Sequence, residues 1–185
     1  MPKMSQDEIE KFLVEPGFFA RLGTLDPDGH PRVHPISFLY GDGKINFTLR
    51  PSPSSQDNVR RDPRIGLSID EREQPMRRVI IQGVARIVYE PGEDHKWKAE
   101  FREMLLKTDT VEYVDEYLQA HDDVGVHRPW FEVDLNAPTT RVKSWRNPFE
   151  EQPGSLRPSD GGRPMPFAKQ YIPGWSDSDS TSETT

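Results

Sequence analysis

Between Thr48 and Arg64 the chain gathers residue types that a phosphate monoester needs: Thr48, Arg50, Ser52, Ser54, Ser55, Asn58, Arg60, Arg61 and Arg64. Hydroxyls donate to phosphate oxygens, guanidinium groups meet them as a planar fork, and a helix N-terminus offers N–H groups of positive partial charge. Ser54 or Ser55 is placed to cap a short helix running through Asn58 to Arg61. Asp62-Pro63 ends that helix, because the residue before proline disfavours helical backbone. A capped surface helix with solvated arginines has the same spacing, so the residues alone leave both readings open.

Other chemistries find less support. The chain has no cysteine, which removes disulfides, thiolate nucleophiles, iron–sulfur clusters and cysteine zinc sites. Among His30, His34, His95, His121 and His127 only His30 and His34 stand four residues apart, in an expected turn and strand rather than on one helix face, and no facial triad with carboxylates can be picked out, so no metal site is expected. Neither a GxGxxG run nor a Walker loop is present, and no serine lies in a nucleophile elbow. The carboxylates of Glu71, Glu73, Asp122 and Asp123 fall in polar stretches and read as solvated charges.

The elements that must position Thr48–Arg64 are mostly strands. Ser5 followed by Glu8 reads as a capping box, and Ile9, Phe12 and Leu13 give a short amphipathic helix over 6–14 that suits the end of a barrel. Strands are expected over 18–25, 31–40 and 44–50, separated by Asp26-Pro27-Asp28-Gly29 and Gly41-Asp42-Gly43, which are hairpin turns. Pro35 inside the second strand requires an edge or a bulge, since its nitrogen cannot donate. A fourth strand covers 65–69. A long fifth covers 78–88, with Gly83 suggesting a bend. Residues 93–120 read as helical: Trp97, Phe101, Met104 and Leu105 form one apolar face, and Val111, Val114, Tyr117 and Leu118 a second. Strands over 130–135 and 140–145 bring the expected count to seven. Short antiparallel strands with a late helix pair predict a mainly β fold with short helices, a closed or split barrel.

Only 33% of the 185 residues are hydrophobic. Residues 149–185 are rich in Pro, Ser and acidic side chains and read as a largely disordered or wrapped tail behind a 1–148 domain. No apolar run approaches the ~20 residues needed to span a bilayer, and the N-terminus has no basic-then-apolar leader, so a cytoplasmic protein without membrane contact is expected. A net charge of −7 argues against nucleic-acid affinity. The rival here is a single-strand module with Arg60, Arg61 and Arg64 as its basic patch and Phe38, Tyr40 and Phe47 for stacking.

Several runs together resemble the pyridoxamine 5′-phosphate oxidase-like, FMN-binding split-barrel superfamily. They are Arg21-Leu22-Gly23-Thr24-Leu25, Asp28-Gly29-His30-Pro31-Arg32-Val33-His34-Pro35, Phe47-Thr48, Asn58-Val59-Arg60-Arg61-Asp62-Pro63-Arg64-Ile65 and Val79-Ile80-Ile81-Gln82-Gly83-Val84-Ala85. The resemblance covers about 8–146. It implies an antiparallel split β-barrel forming a symmetric homodimer, with FMN or the deazaflavin F420 in clefts at the interface, or haem in some members. The activity implied is a flavin- or deazaflavin-dependent oxidoreductase acting on a small organic substrate; the alternative is a non-catalytic FMN or haem carrier, with His34 or His127 as iron ligand. His34, Pro35, Ile36 and Ser37 would line the ring. Thr48, Arg50, Ser52, Ser54, Ser55, Asn58 and Arg60 would hold the ribityl chain and phosphate. Trp130 and Trp145 would be available for stacking at the interface. Flavin-binding members usually place lysine three residues before the asparagine and a basic or hydroxyl residue five before it. Here those places hold Ser55 and Pro53, leaving Arg50, Arg60 or the serine hydroxyls to substitute.

Overall fold

The computed structural model describes residues 2–50, 56–72 and 76–146, the side chains of 123 and 124 excepted. The expected tail at 149–185 and the serines at 52, 54 and 55 lie outside these residues. Two antiparallel sheets carry the fold, with a few helices. One runs β2-β1-β5-β6-β9, from β1 (Ala20–Leu25), β2 (Pro31–Ile36), β5 (Arg64–Asp70), β6 (Arg78–Val84) and β9 (Arg141–Trp145). The other runs β3-β4-β8-β7, from β3 (Leu39–Gly41), β4 (Lys44–Thr48), β7 (Arg86–Tyr89) and β8 (Trp130–Asp134).

Among the described residues nine strands stand in place of the expected seven, because two long apolar runs each serve both sheets. The run over 31–40 leaves the first sheet after Ile36 and joins the second at Leu39. The run over 78–88 breaks at Ala85, whose N–H donates 2.8 Å to the Pro63 carbonyl instead of to a ladder. Such bends carry a strand around the corner between two sheets. Gly83, expected to mark the bend, instead lies within β6. A Cβ there would sit 3.1 Å from both Val133 Cγ1 and Thr140 Oγ1, so this glycine permits the close approach of β6 to the end of β8. Pro35 falls where expected, on β2 at a sheet edge, paired with Arg21 of β1. The β3–β4 turn has positive φ at Asp42 (52°) and Gly43 (73°), the backbone that a two-residue hairpin selects.

Helix α1 (Gln6–Val14) carries the expected reciprocal cap between Ser5 and Glu8. It buries Ile9, Phe12 and Leu13 in the main core with Leu22, Ile45, Ile69 and Ile81, where the cross-strand pair Phe47 and Phe131 stack at 5.1 Å. Helix α2 is Gln56–Arg61. The helical stretch after Glu93 divides into a 3₁₀ turn (Asp94–Lys96), α3 (Lys98–Leu106) and α4 (Val111–Val124). Thr110 caps α4 by accepting from the Tyr113 N–H, and Gly125 closes it at φ 66°. These helices build a second core around Trp97, Phe101, Met104, Val114, Leu118 and Trp130. Trp130 is therefore core: it stacks on Trp97 at 5.0 Å and is 4% exposed. Trp145 lies under the Arg78 guanidinium. Among the described residues no helix is long and apolar enough to cross a membrane.

Candidate functional site

Where β2 bends toward β3, the end of β4 runs alongside, and α3 and α4 stand opposite. Between them is a cavity of about 600 Å³, within the range of small-molecule and cofactor sites. His34, Pro35, Ile36 and Ser37 form one wall together with Thr48, Leu49 and Arg50. Phe101, Met104, Leu105, Asp109, Tyr113, Tyr117 and Arg128 form the other. Apart from Leu49, the first wall comes from residues that the sequence singled out.

Polar groups on both walls are incompletely used. His34 Nε2 is buried and has no hydrogen-bond partner among the described residues, an expensive state for a polar atom unless a ligand completes it. Thr48 is the reverse case: its hydroxyl donates 2.8 Å to the Pro129 carbonyl, tying the end of β4 to the segment that enters β8. Its proton is spent, so toward a ligand this hydroxyl can only accept. Arg50 is exposed and supplies positive charge to the sheet-side wall.

Asn58 and Arg60 are not brought to this cavity. Asn58 is 1% exposed; its amide donates 2.7 Å to Asp26 Oδ1 and 3.3 Å to Thr24 Oγ1, while its oxygen accepts from Arg61. It clamps α2 to the β1–β2 hairpin. Hydrogen bonds from Arg32 and then Asn58 hold the Asp26 carboxyl far below the usual carboxylate range. Arg60 makes a two-pronged ion pair with Glu90. Arg61 also donates to the Leu25 carbonyl, and Arg64 pairs with Asp62. Phe38 and Phe47, two of the three aromatics named for stacking on single-stranded nucleic acid, are buried in the core.

The helix-side wall was not foreseen. Phe101 and Met104 recur at helical spacing and read as core, which they also are. Arg128 belongs to no motif, yet it is 6% exposed. Its Nη2 donates 2.7 Å to Tyr117 Oη, its guanidinium lies 5.4 Å from the Phe101 ring centroid, and its Nε is buried without an acceptor among the described residues. Nearby, burial first and the Arg128 charge second push the His121 imidazole below its ordinary pKa. His127 does not line the cavity; it is exposed and paired with Asp94 at 3.0 Å. Among the described residues no three His, Cys, Asp or Glu side chains are grouped to hold a metal ion. A second cavity, of about 620 Å³, lies between the start of α1 and β9, with Met4, Ile9, Val142 and Trp145 in its lining; it contains none of these unpartnered polar atoms.

Residues 5–135 match the pyridoxamine 5′-phosphate oxidase family. Among solved structures, a conserved hypothetical protein from Mycobacterium tuberculosis is 26% identical, with a TM-score of 0.62 over 83% of this chain and 92% of that one. A FAD-binding protein from Mesorhizobium loti is 15% identical, with a TM-score of 0.52 over 78% and 97%. The haem storage protein HutZ from Vibrio cholerae is 20% identical, with a TM-score of 0.52 over 75% and 94%. An F420 reductase is also 20% identical, with a TM-score of 0.50 over 68% and 90%. No curated protein matches the sequence.

Proposed function

The chain belongs to the pyridoxamine 5′-phosphate oxidase family, and on that premise we propose that it is an oxidoreductase holding FMN or coenzyme F420 in the cleft between β2, β4 and the α3–α4 pair. One observation carries the reading: His34–Ser37, Thr48 and Arg50, chosen from sequence as ring and phosphate contacts, line a single wall of a cavity of suitable volume. The donor set fits the group. A flat ring is accommodated along His34–Ser37, and Arg50 supplies positive charge for a phosphate where Ser55 replaces the usual lysine. Similarity of fold to an F420 reductase and a FAD-binding protein supports the same ligand class.

When bound, the cofactor supplies hydride transfer; the protein supplies orientation and electrostatics. Strand β2 is a sheet edge, so alternate N–H groups face away from its one ladder, available to negative charge on a reduced ring. Pro35 interrupts that row and keeps the strand from pairing further. The Phe101–Met104–Leu105 face of α3 covers the opposite side and excludes water from the reacting atoms. Hydride transfer asks chiefly for alignment, and no side-chain acid or base is assigned. In this reading the two sheets close as a split barrel, and a second copy covers the apolar surface left at Phe19, Val33 and Tyr113, which are 49%, 65% and 56% exposed.

The absorbance spectrum of protein dialysed after incubation with FMN, F420 or haemin tests this. Retained flavin or deazaflavin bands with reduction by a hydride donor are expected; no retained band from either would refute it. A second reading, a haem carrier without turnover, draws on the unpartnered His34 Nε2 in the cleft. It requires a Soret band that His34→Ala abolishes.

A further inference from the structure

We propose that Arg128 is an oxyanion-recognition residue on the helix-side wall of the cleft, receiving the carboxylate or phosphate of a flat aromatic or conjugated ligand. The inference rests on the cleft being the ligand site argued above, and it narrows what enters there.

A buried guanidinium ordinarily has a carboxylate partner, because an uncompensated charge away from water is strongly disfavoured. Arg128 is 94% buried by its 6% exposure, yet among the described residues no carboxylate lies within ion-pair distance of it. Among the described residues its side chain hydrogen-bonds a phenol, Tyr117 Oη, and Nε has no acceptor. The group is nonetheless held in place. Its backbone N–H donates 3.2 Å to Asp94 Oδ1, the next residue's carbonyl accepts from Thr48, and the guanidinium lies against the Phe101 ring. A pre-positioned planar fork with spare donors, facing a cavity, is the arrangement that receives a carboxylate or phosphate. The flat shape follows from the neighbours. Tyr113 and Tyr117 stack at 6.3 Å and 20°, and with Phe101 they offer ring faces along the same wall.

The full-length protein is titrated calorimetrically with benzoate, phenyl phosphate and the neutral analogue benzamide, with and without preloading by FMN or F420. One or both anions should bind, and benzamide should bind at least about tenfold more weakly, the discrimination expected of charge-assisted hydrogen bonds. Arg128→Met should abolish the preference, Arg128→Lys should keep only part of it, and Tyr117→Phe should weaken it while preserving the fold. Binding that persists on the preloaded protein assigns the oxyanion to the substrate; binding lost on preloading assigns it to the cofactor's phosphate. Equal affinity for benzamide and benzoate, no binding by either anion, or undiminished binding by Arg128→Met overturns the proposal. If neither FMN nor F420 is retained but benzoate binding depends on Arg128, the oxidoreductase reading fails and this one stands. Retention of a cofactor with no Arg128 dependence is the converse.

Discussion

Two arginines withdrawn from solvent have opposite surroundings. Arg77 directs every guanidinium nitrogen to a carboxylate, bonding Glu71 and Glu15 at 2.6–2.8 Å, and stands beside Phe12. Those bonds, first to Glu71 and then to Glu15, hold it well above its ordinary pKa, and they pin the end of α1 to the segment between β5 and β6. Arg128 has no such carboxylate among the described residues. Burial alone therefore does not tell what a charged side chain is for; its partners do. A saturated charge is part of the scaffold, and an unsaturated one facing a cavity waits for a ligand.

The contrast can be broken in several ways. Replacing Arg77 by Met strands Glu71, whose side chain is 9% exposed, and should cost about 3 kcal/mol in a urea melt, as removal of one partner of a buried pair does. An unchanged midpoint would remove the first half of the comparison. Asn58→Ala should cost about 2 kcal/mol by leaving buried partners unpaired, while ligand affinity in the cleft stays near the wild-type value. A large loss of affinity without loss of stability would return Asn58 to the binding site. Arg128→Met in anion-free buffer should leave stability unchanged or raise it by up to about 1 kcal/mol, since an unpaired charge is exchanged for apolar volume. Marked destabilisation would make Arg128 scaffold as well.

The smallest effect is expected at Lys107. Burial pushes its pKa down to about 8, against an ordinary 10.5, while Nζ donates to the Leu13 carbonyl and sits over the Phe38 ring. Between those two values the unfolded chain binds more protons than the folded one, so this residue's contribution to stability rises with pH across the window from 8 to 10.5. The difference in stability between wild type and Lys107→Met should therefore shift in favour of wild type as pH rises from 8 to 10.5. A flat difference would contradict it.

What could be read from sequence follows from the range of the interactions. Helix α1, its Ser5–Glu8 cap and the β3–β4 turn depend on neighbours a few residues away, and each was legible. The sheet-side wall was legible too, because the motif runs that resemble the family carry β2 and β4. The corner at Ala85 was not, since it depends on a bond to Pro63 and on the approach of β8. Asn58 looked like a phosphate contact because an asparagine at a helix start suits that role equally well; only the hairpin around Asp26 makes it a clamp. Arg128 was invisible for the same reason in stronger form. Its burial, its missing partner and its place opposite His34 all arise from tertiary packing.

The central claim is that the cleft between β2, β4 and the helix pair holds the cofactor. It is tested most directly by filling that cleft. Leu105→Trp adds volume from α3 on the helix-side wall, and its cofactor retention after dialysis is compared with wild type, with the circular dichroism of both recorded. The account predicts that wild type keeps FMN or F420 and that the folded variant loses it. A folded variant that keeps the cofactor as tightly as wild type would place the ligand elsewhere and contradict the account.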